Sequence, residues 1–205
     1  MKVLLINGSP KKNGNTSLAL QHMTDVFAEQ GIESEIIQVG HLDIRGCTCC
    51  KGCSKNRKCV IDDIVNEVAE KLRDADGLVI GSPVYFASAN GTLVSFLDRL
   101  FYSTRFAMQM KVGACVAVAR RGGCSSTFDQ LNKYFTISGM PVASSHYWNN
   151  IHGHQPGEVE QDLEGVAIVR DLAKNMVFLM KAIQLGKEAY GLPEYDAYKP
   201  TNFIR

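Results

Sequence analysis

The chain is predicted to fold as a doubly wound, five-stranded parallel sheet with helices on both faces, a three-layer α/β/α architecture. Three observations predict it. Strand-length apolar runs alternate with stretches of helical period along the whole chain, the pattern of repeated βαβ units. The longest unbroken runs, such as Val3 to Ile6 and Ala114 to Ala119, are strand-sized and far short of the roughly 20 residues that cross a membrane. The 205 residues, 45% hydrophobic and 21% charged, have ordinary globular composition and enough length for one sizeable core.

Lys2 to Ile6 reads as the first strand and runs into a loop by composition, Gly8-Ser9-Pro10-Lys11-Lys12-Asn13-Gly14-Asn15. From Thr16 the period changes: Ala19, Met23, Val26 and Phe27 share a helical face, and Gly31 is placed to end it. Ile32 to Val39 is the second strand. A cysteine-rich segment follows, then a helical stripe of Ile61, Ile64, Val65, Val68 and Leu72, then a third strand over Gly77 to Gly81. Leu93, Phe96, Leu97, Leu100 and Phe101 form the next stripe, and Val112 to Ala119 the fourth, fully buried strand. Ser125 to Ile137 is expected to be helical, Pro141 to Trp148 to be the fifth strand, and Val169 to Ile183 to lie in a long last helix. The whole chain, 1–205, is expected to be one domain, with a cysteine-rich insertion at 46–60 and an irregular tail from about Leu192.

A formal charge of +1 leaves no global field for nucleic acid or an anionic membrane, and neither is expected as a partner. The start of the chain lacks the apolar core and cleavage site of a secretory signal, which predicts a cytoplasmic protein. Seven cysteines are many for a reducing compartment, yet Cys47, Cys49, Cys50, Cys53 and Cys59 crowd together while Cys115 and Cys124 stand apart. Clustering of this kind points to metal or redox chemistry more than to a disulfide framework.

An open parallel sheet binds its ligand beyond the carboxyl ends of its strands, so the loops after the first, third and fourth strands are the places to look. The first collects short hydroxyl and amide side chains at a helix start, suited to a phosphate; the same residues also describe an ordinary capped helix with Asn15 as N-cap. Neither Gly-x-Gly-x-x-Gly nor a Gly-Lys-Ser/Thr ending is present. The second, Ser82 to Gly91, is uncharged and carries Tyr85 and Phe86, which suit a flat aromatic ligand or simple core packing. The third, Ala119 to Ser126, joins strand to helix through Gly122 and Gly123.

Taken together, Gly8-Ser9-Pro10 with Asn13-Gly14-Asn15-Thr16, Gly81-Ser82-Pro83-Val84-Tyr85-Phe86, Phe96-Leu97-Asp98-Arg99 and Cys47-x2-Cys50-x2-Cys53-x5-Cys59 resemble the flavodoxin-like NAD(P)H-dependent FMN reductases, in particular their iron-sulfur flavoprotein branch. The motifs cover roughly residues 1 to 150. The resemblance implies that Ser9, Lys11, Asn15, Thr16 and Ser17 hold the FMN phosphate and that Pro83, Val84, Tyr85 and Phe86 contact the isoalloxazine ring. It implies further that Arg120, Gly122 and Gly123 close the pocket, and that the chain forms a homodimer or homotetramer. Phe101, Tyr102 and Phe106, trailing the helix that follows the Ser82 to Gly91 loop, are candidates for that interface or for local core packing.

The cysteine spacing suits one [4Fe-4S] cube, because thiolates three residues apart on a tight loop reach different iron corners. The expected ligands are Cys47, Cys50, Cys53 and Cys59. Cys49 departs from the small residue usual there, which leaves the ligand choice ambiguous and a thiol or disulfide role open. Lys51, Lys55, Arg57 and Lys58 would offset the charge of a tetrathiolate cluster, or form a solvated face. His152 and His154 read as a polar loop, and Asp62, Asp63, Asp162 and Glu164 as helix-start acids complementing the dipole.

These readings give an FMN-dependent oxidoreductase in which electrons pass from NADPH or NADH through FMN to a quinone, nitro, flavin or protein acceptor. The alternative of a different class is an iron-sulfur flavoprotein that carries electrons between protein partners. A redox sensor acting through the cysteine loop is a third reading.

Overall fold

In a computed structural model, residues 1–104, 108–197, 199, 201 and 203 are described. Phe106 therefore lies outside the described residues. The elements run β1 (Lys2–Asn7), α1 (Asn15–Glu29), β2 (Glu33–Gln38), α2 (Gly52–Asn56), α3 (Ile64–Arg73), β3 (Gly77–Tyr85), β4 (Ser88–Ala89), α4 (Gly91–Thr104), β5 (Val112–Ala119), α5 (Cys124–Thr136), β6 (Asn150–His152) and α6 (Leu163–Tyr190), with a 3-10 turn at Glu158–Gln161 before α6.

Five parallel strands lie in the order β2-β1-β3-β5-β6, the flavodoxin-like arrangement, and β4 folds back antiparallel on the end of β3. The chain winds outward from β1 to β2 and then returns to the other side of β1 with β3, so a crevice opens between the carboxyl ends of β1 and β3. Alternate strand residues face opposite layers. Leu4, Ile6, Leu78 and Ile80 pack with α3, α4 and α5, while Val3, Leu5, Val79 and Val116 pack with α1 and α6. The stripe residues Ala19, Met23, Val26, Phe27, Leu93, Phe96, Leu97 and Leu100 are all buried, so the helical periods seen in the sequence are core faces.

The expected fifth strand at Pro141 to Trp148 is a correction. That segment makes only a bridge between Val142 and Gly113, and the fifth parallel strand is Asn150–His152, in register with Ala117 to Ala119. Pro141 has no N–H to give a ladder, and Ser145 Oγ donates instead to the Tyr147 carbonyl (2.6 Å), a local bond that competes with strand pairing. Tyr147 and Trp148 lie tilted against each other at the surface, ring centroids 5.4 Å apart and planes at 57°. The third strand is longer than Gly77 to Gly81: Pro83 pairs with Val118, and the chain reverses only at Phe86 and Ala87.

The helix-start acids behave as expected. Asp63 accepts from the Val65 N–H (3.0 Å) and Asp162 from the Gly165 N–H (2.9 Å), capping α3 and α6. Phe101 is buried against Tyr134 and Phe135, whereas Tyr102 is exposed. Among the described residues no helix is long and apolar enough to cross a membrane.

Candidate functional site

The loops after β1, β3, β5 and β6 surround one cleft of about 210 Å³. It brings together Ser9, Lys11, Asn15, Thr16, Pro83, Val84, Tyr85 and Arg120; Ser17, Phe86, Gly122 and Gly123 do not line it. Sequence reasoning missed Gly153, His154 and Pro156, which the loop after β6 contributes. Placing the last strand too early hid this loop, although its Gly-His-Gln-Pro-Gly composition marks a strand-end connection like the others.

At one end the cleft has the chemistry that suits an anion. α1 starts at the extended Gly14, with no side-chain cap and no acidic residue in its first turn, so its free N–H groups and dipole meet no competing negative charge. The preceding loop is braced from below. The Ser9 N–H donates to Asn7 Oδ1 (3.0 Å), the Lys11 N–H donates to Ser9 Oγ (3.1 Å), and Asn7 Nδ2 donates to Gln38 Oε1 (2.7 Å), whose amide returns a bond to the Ser9 carbonyl. Asn90 Nδ2 donates to the Gly8 carbonyl (2.6 Å), fixing the loop to the start of α4. Lys11 and Arg120 supply the positive side chains.

Asn15 is neither the N-cap nor free. Its Nδ2 donates to the Gln155 carbonyl (2.9 Å) and its Oδ1 accepts from the Gly157 N–H (2.9 Å), so its amide ties the β6 loop to the α1 start. Glu158 holds the same loop from the other side by accepting from the His154 N–H (2.6 Å) and the Gln155 N–H (2.9 Å), and these bonds lower its carboxyl pKa.

The other end is apolar: Pro83, Val84 and Tyr85 form the wall, and the turn beyond them is strained. Phe86 (φ 51°) and Ala87 (φ 59°) both occupy the left-handed region, the geometry of a two-residue hairpin turn for which Asn-Gly is the usual choice. Each such non-glycine residue costs of order 1–3 kcal/mol and persists only where its surroundings insist on it. Here the start of α5 insists. Ser126 Oγ donates to the Ala87 carbonyl (2.6 Å), and Gln130 Oε1 accepts from both Ser88 Oγ (2.8 Å) and the Ala89 N–H (2.9 Å). Gly123 (φ 95°) lies so close that a Cβ there would sit 2.8 Å from the Ala87 Cα. Gly123 thus shapes the pocket from behind, and Phe86 stands fully exposed beside the cleft.

The cysteine segment makes a second site on the side of α4. Cys47, Cys50, Cys53 and Cys59, with Cys49, line a cavity of about 60 Å³ closed by Arg99 and Tyr102. The four expected thiols are near neighbours: burial raises the Cys53 thiol pKa, and Cys47, Cys59 and Cys50 add to the shift. Among the described residues no three His, Cys, Asp or Glu side chains could share a single metal ion. Thiols ringed around a cavity suit a body on which each thiolate takes a different iron, and by this donor set the loop fits a [4Fe-4S] cube. Cys49 (φ 53°), Lys51 (φ 60°) and Arg57 (φ 52°) are left-handed, and a Cβ at Gly52 would lie 2.4 Å from Val60 Cγ1, so that side chain would have to move to admit one. The two cysteines outside the loop differ: burial raises the thiol pKa of both Cys115 and Cys124 and keeps them protonated.

Sheet order, crevice and anion-ready helix start define a flavodoxin-like α/β protein, and a flavodoxin from the domain Archaea superposes with a TM-score of 0.57 at 17% identity, covering 86% of this chain and 99% of that one. The chain belongs to the NADPH-dependent FMN reductase family, whose model matches residues 1–155. An iron-sulfur flavoprotein of Methanocaldococcus jannaschii is 35% identical over 192 residues, 90% of this chain and 100% of the relative. Another, from Methanosarcina thermophila, is 31% identical over 198 residues, 92% of this chain and 100% of the relative. As a member of this family the chain is an FMN-dependent oxidoreductase of the iron-sulfur flavoprotein branch.

Proposed function

We propose that the protein takes electrons from NADPH or NADH and passes them, through FMN held in the cleft, to a quinone, nitro compound, flavin or protein acceptor, with a [4Fe-4S] cluster on Cys47, Cys50, Cys53 and Cys59. The observation that carries the reading is the convergence of the strand-end loops on one cleft with an uncapped helix start at one end and an apolar wall at the other. Bound FMN would supply the electron-accepting ring and, when reduced, the electrons for the acceptor.

This chain's residues do the binding. Ser9, Thr16 and the first-turn N–H groups of α1 receive the phosphate, Lys11 adds a compact positive charge, and Asn15 acts by holding the β6 loop in place. Pro83, Val84 and Tyr85 take the ring, and their lack of charge favours a flat conjugated ligand. At about 210 Å³ the cleft is smaller than the 300–1,000 Å³ of pockets that engulf a ligand, so a bound flavin would be only partly enclosed by this chain. The reading implies a homodimer or homotetramer, and the fully exposed Phe86 beside the cleft supports a second copy covering it.

The four thiols around one cavity favour a second reading, an electron carrier between protein partners that uses no nicotinamide. Anaerobic addition of NADPH or NADH separates them. Prompt bleaching of the flavin band is expected of the reductase; a flavin reducible by dithionite but by neither nucleotide would leave the carrier.

A further inference from the structure

Among the charged side chains of the described residues, Arg99 is the most deeply buried, with 1% of its surface exposed, and every one of its N–H groups has an acceptor. Nε donates to Cys59 Sγ (3.3 Å). Nη1 donates to Asp63 Oδ2 (2.6 Å) and the Arg45 carbonyl (3.3 Å), and Nη2 to Asp63 Oδ1 (2.9 Å) and the Ile61 carbonyl (2.9 Å). These acceptors bracket the cysteine segment: Arg45 precedes Cys47, Cys59 is its last thiol, and Ile61 and Asp63 lead into α3. The guanidinium comes from the middle of α4, whose neighbours Phe96, Leu97 and Leu100 are locked in the core, so its position is fixed by the domain and imposed on the loop.

We propose that Arg99 is a positioning residue that folds the cysteine loop around its cavity and sets the ease with which the group held by the four thiolates accepts an electron. The proposal rests on the [4Fe-4S] reading above and deepens it. Two physical effects act at Cys59. An N–H donated to a ligating sulfur withdraws electron density from it, and hydrogen bonds to the sulfurs are among the determinants of cluster potential. When one electron enters, supplied in the test by a chemical reductant through a mediator, no proton need follow, and the site gains one negative charge. A fixed positive charge within hydrogen-bond distance of one sulfur favours that form, and Asp63, paired with the same guanidinium, opposes it. Lysine does not replace this arrangement, because an ammonium has three donors in a compact head and does not span five acceptors.

The two charges make opposite predictions, which a merely structural role would not. In anaerobically reconstituted protein, Arg99→Met should lower the cluster's reduction potential, with the equilibrium constant for reduction falling about tenfold, or about 59 mV for a one-electron couple. Asp63→Asn, which keeps an oxygen to cap α3 and to accept from Nη2 while removing the negative charge and one acceptor of Nη1, should raise it. Arg99→Lys should fall between wild type and Arg99→Met. Potentials are read by mediated titration of the visible and electron-paramagnetic-resonance signals, with the FMN potential of the same samples as an internal reference that should not move. In the iron-free protein, hydrogen exchange over residues 45–63 should accelerate in both Arg99 variants while β1 and β5 stay protected. Should the Arg99 variants fail to fold, Asp63→Asn decides by the sign of its shift. Equal potentials in wild type and Asp63→Asn, shifts of one sign in all variants, or unchanged exchange in the loop would overturn the role of Arg99. Absence of iron uptake by wild-type protein would instead remove the cluster reading, and the exchange measurement would still test whether Arg99 folds the loop.

Discussion

The two sites of this protein are built in opposite ways. The cleft is made by the sheet: its residues come from the ends of β1, β3, β5 and β6, and backbone pairing sets their positions. The cysteine loop leaves the sheet, has one five-residue helix of its own, carries three left-handed residues without glycine's freedom, and depends on a few side chains around Arg99. A site made of strand ends tolerates the loss of one side chain, because the rest of the frame stays put. A site made of a detached loop and four thiols does not.

The largest expected effect tests this contrast. Replacing Cys50 by Ser should abolish iron uptake in anaerobic reconstitution while FMN binding stays at the wild-type level; Cys49→Ser should retain both. Loss of iron from Cys49→Ser, or loss of FMN from Cys50→Ser, would show that the ligand set or the independence of the two sites is wrong.

The mirror experiment is Gly123→Ala. A side chain at φ 95° against the Ala87 Cα forces the hairpin away from α5, so the folded state should lose of order 1–3 kcal/mol in urea denaturation and FMN should bind at least tenfold more weakly, with iron uptake intact. Equal FMN affinity would mean that the hairpin has no part in the cleft.

Smaller, and shared between fold and ligand, is the effect of replacing Asn15 and Thr16 together by Ala. A charge-assisted bond to a phosphate contributes about 1.5–3 kcal/mol and Thr16 supplies one at most, so FMN affinity should fall about tenfold in a fluorescence titration. Asn15 acts through Gln155 and Gly157, so Asn15→Ala alone should loosen the β6 loop as well, visible as faster exchange at residues 153–158.

The smallest expected effect is a pH dependence. The Glu158 carboxyl pKa is lowered by the Gln155 and His154 N–H groups, so its contribution is present above the ordinary Glu value of about 4.3 and fades as pH falls through the depressed folded value. FMN affinity of wild type relative to Glu158→Gln should therefore be higher at pH 6 to 7 and converge with it under more acidic conditions. A ratio independent of pH would mean that the β6 loop is held without Glu158.

How far each region could be read in advance follows from the same contrast. The apolar periods of Ala19 to Phe27 and of Leu93 to Phe101 located α1 and α4, because burial on a packed sheet leaves a regular trace in sequence. The cleft was legible at three of its four loops for the same reason. The fourth was displaced because Pro141 to Trp148 has the aromatic, β-branched look of a strand, and only the hydrogen bonds of Ser145 and the missing N–H of Pro141 exclude it. Asn15 stands where it was expected and does something else, since its partners lie more than a hundred residues away and local spacing carries no trace of them. In the cysteine loop the thiol spacing is plain in the sequence, but the contacts of Arg99 are not. An Arg inside a helical stripe looks like a solvated position until the structure shows Asp63, Ile61 and Arg45 converging on it.

On the function proposed above, one chain holds FMN on its strand ends and a four-thiolate cluster on its loop. The most direct test of this claim is the absorbance spectrum of protein purified without oxygen, with flavin and iron counted per chain. The expected result is a flavin spectrum overlaid by a broad iron-sulfur band, about one FMN and about four irons per chain, the iron band disappearing in Cys50→Ser and the flavin remaining. A flavin spectrum with no iron, unchanged after anaerobic reconstitution, or iron without flavin, would contradict the claim.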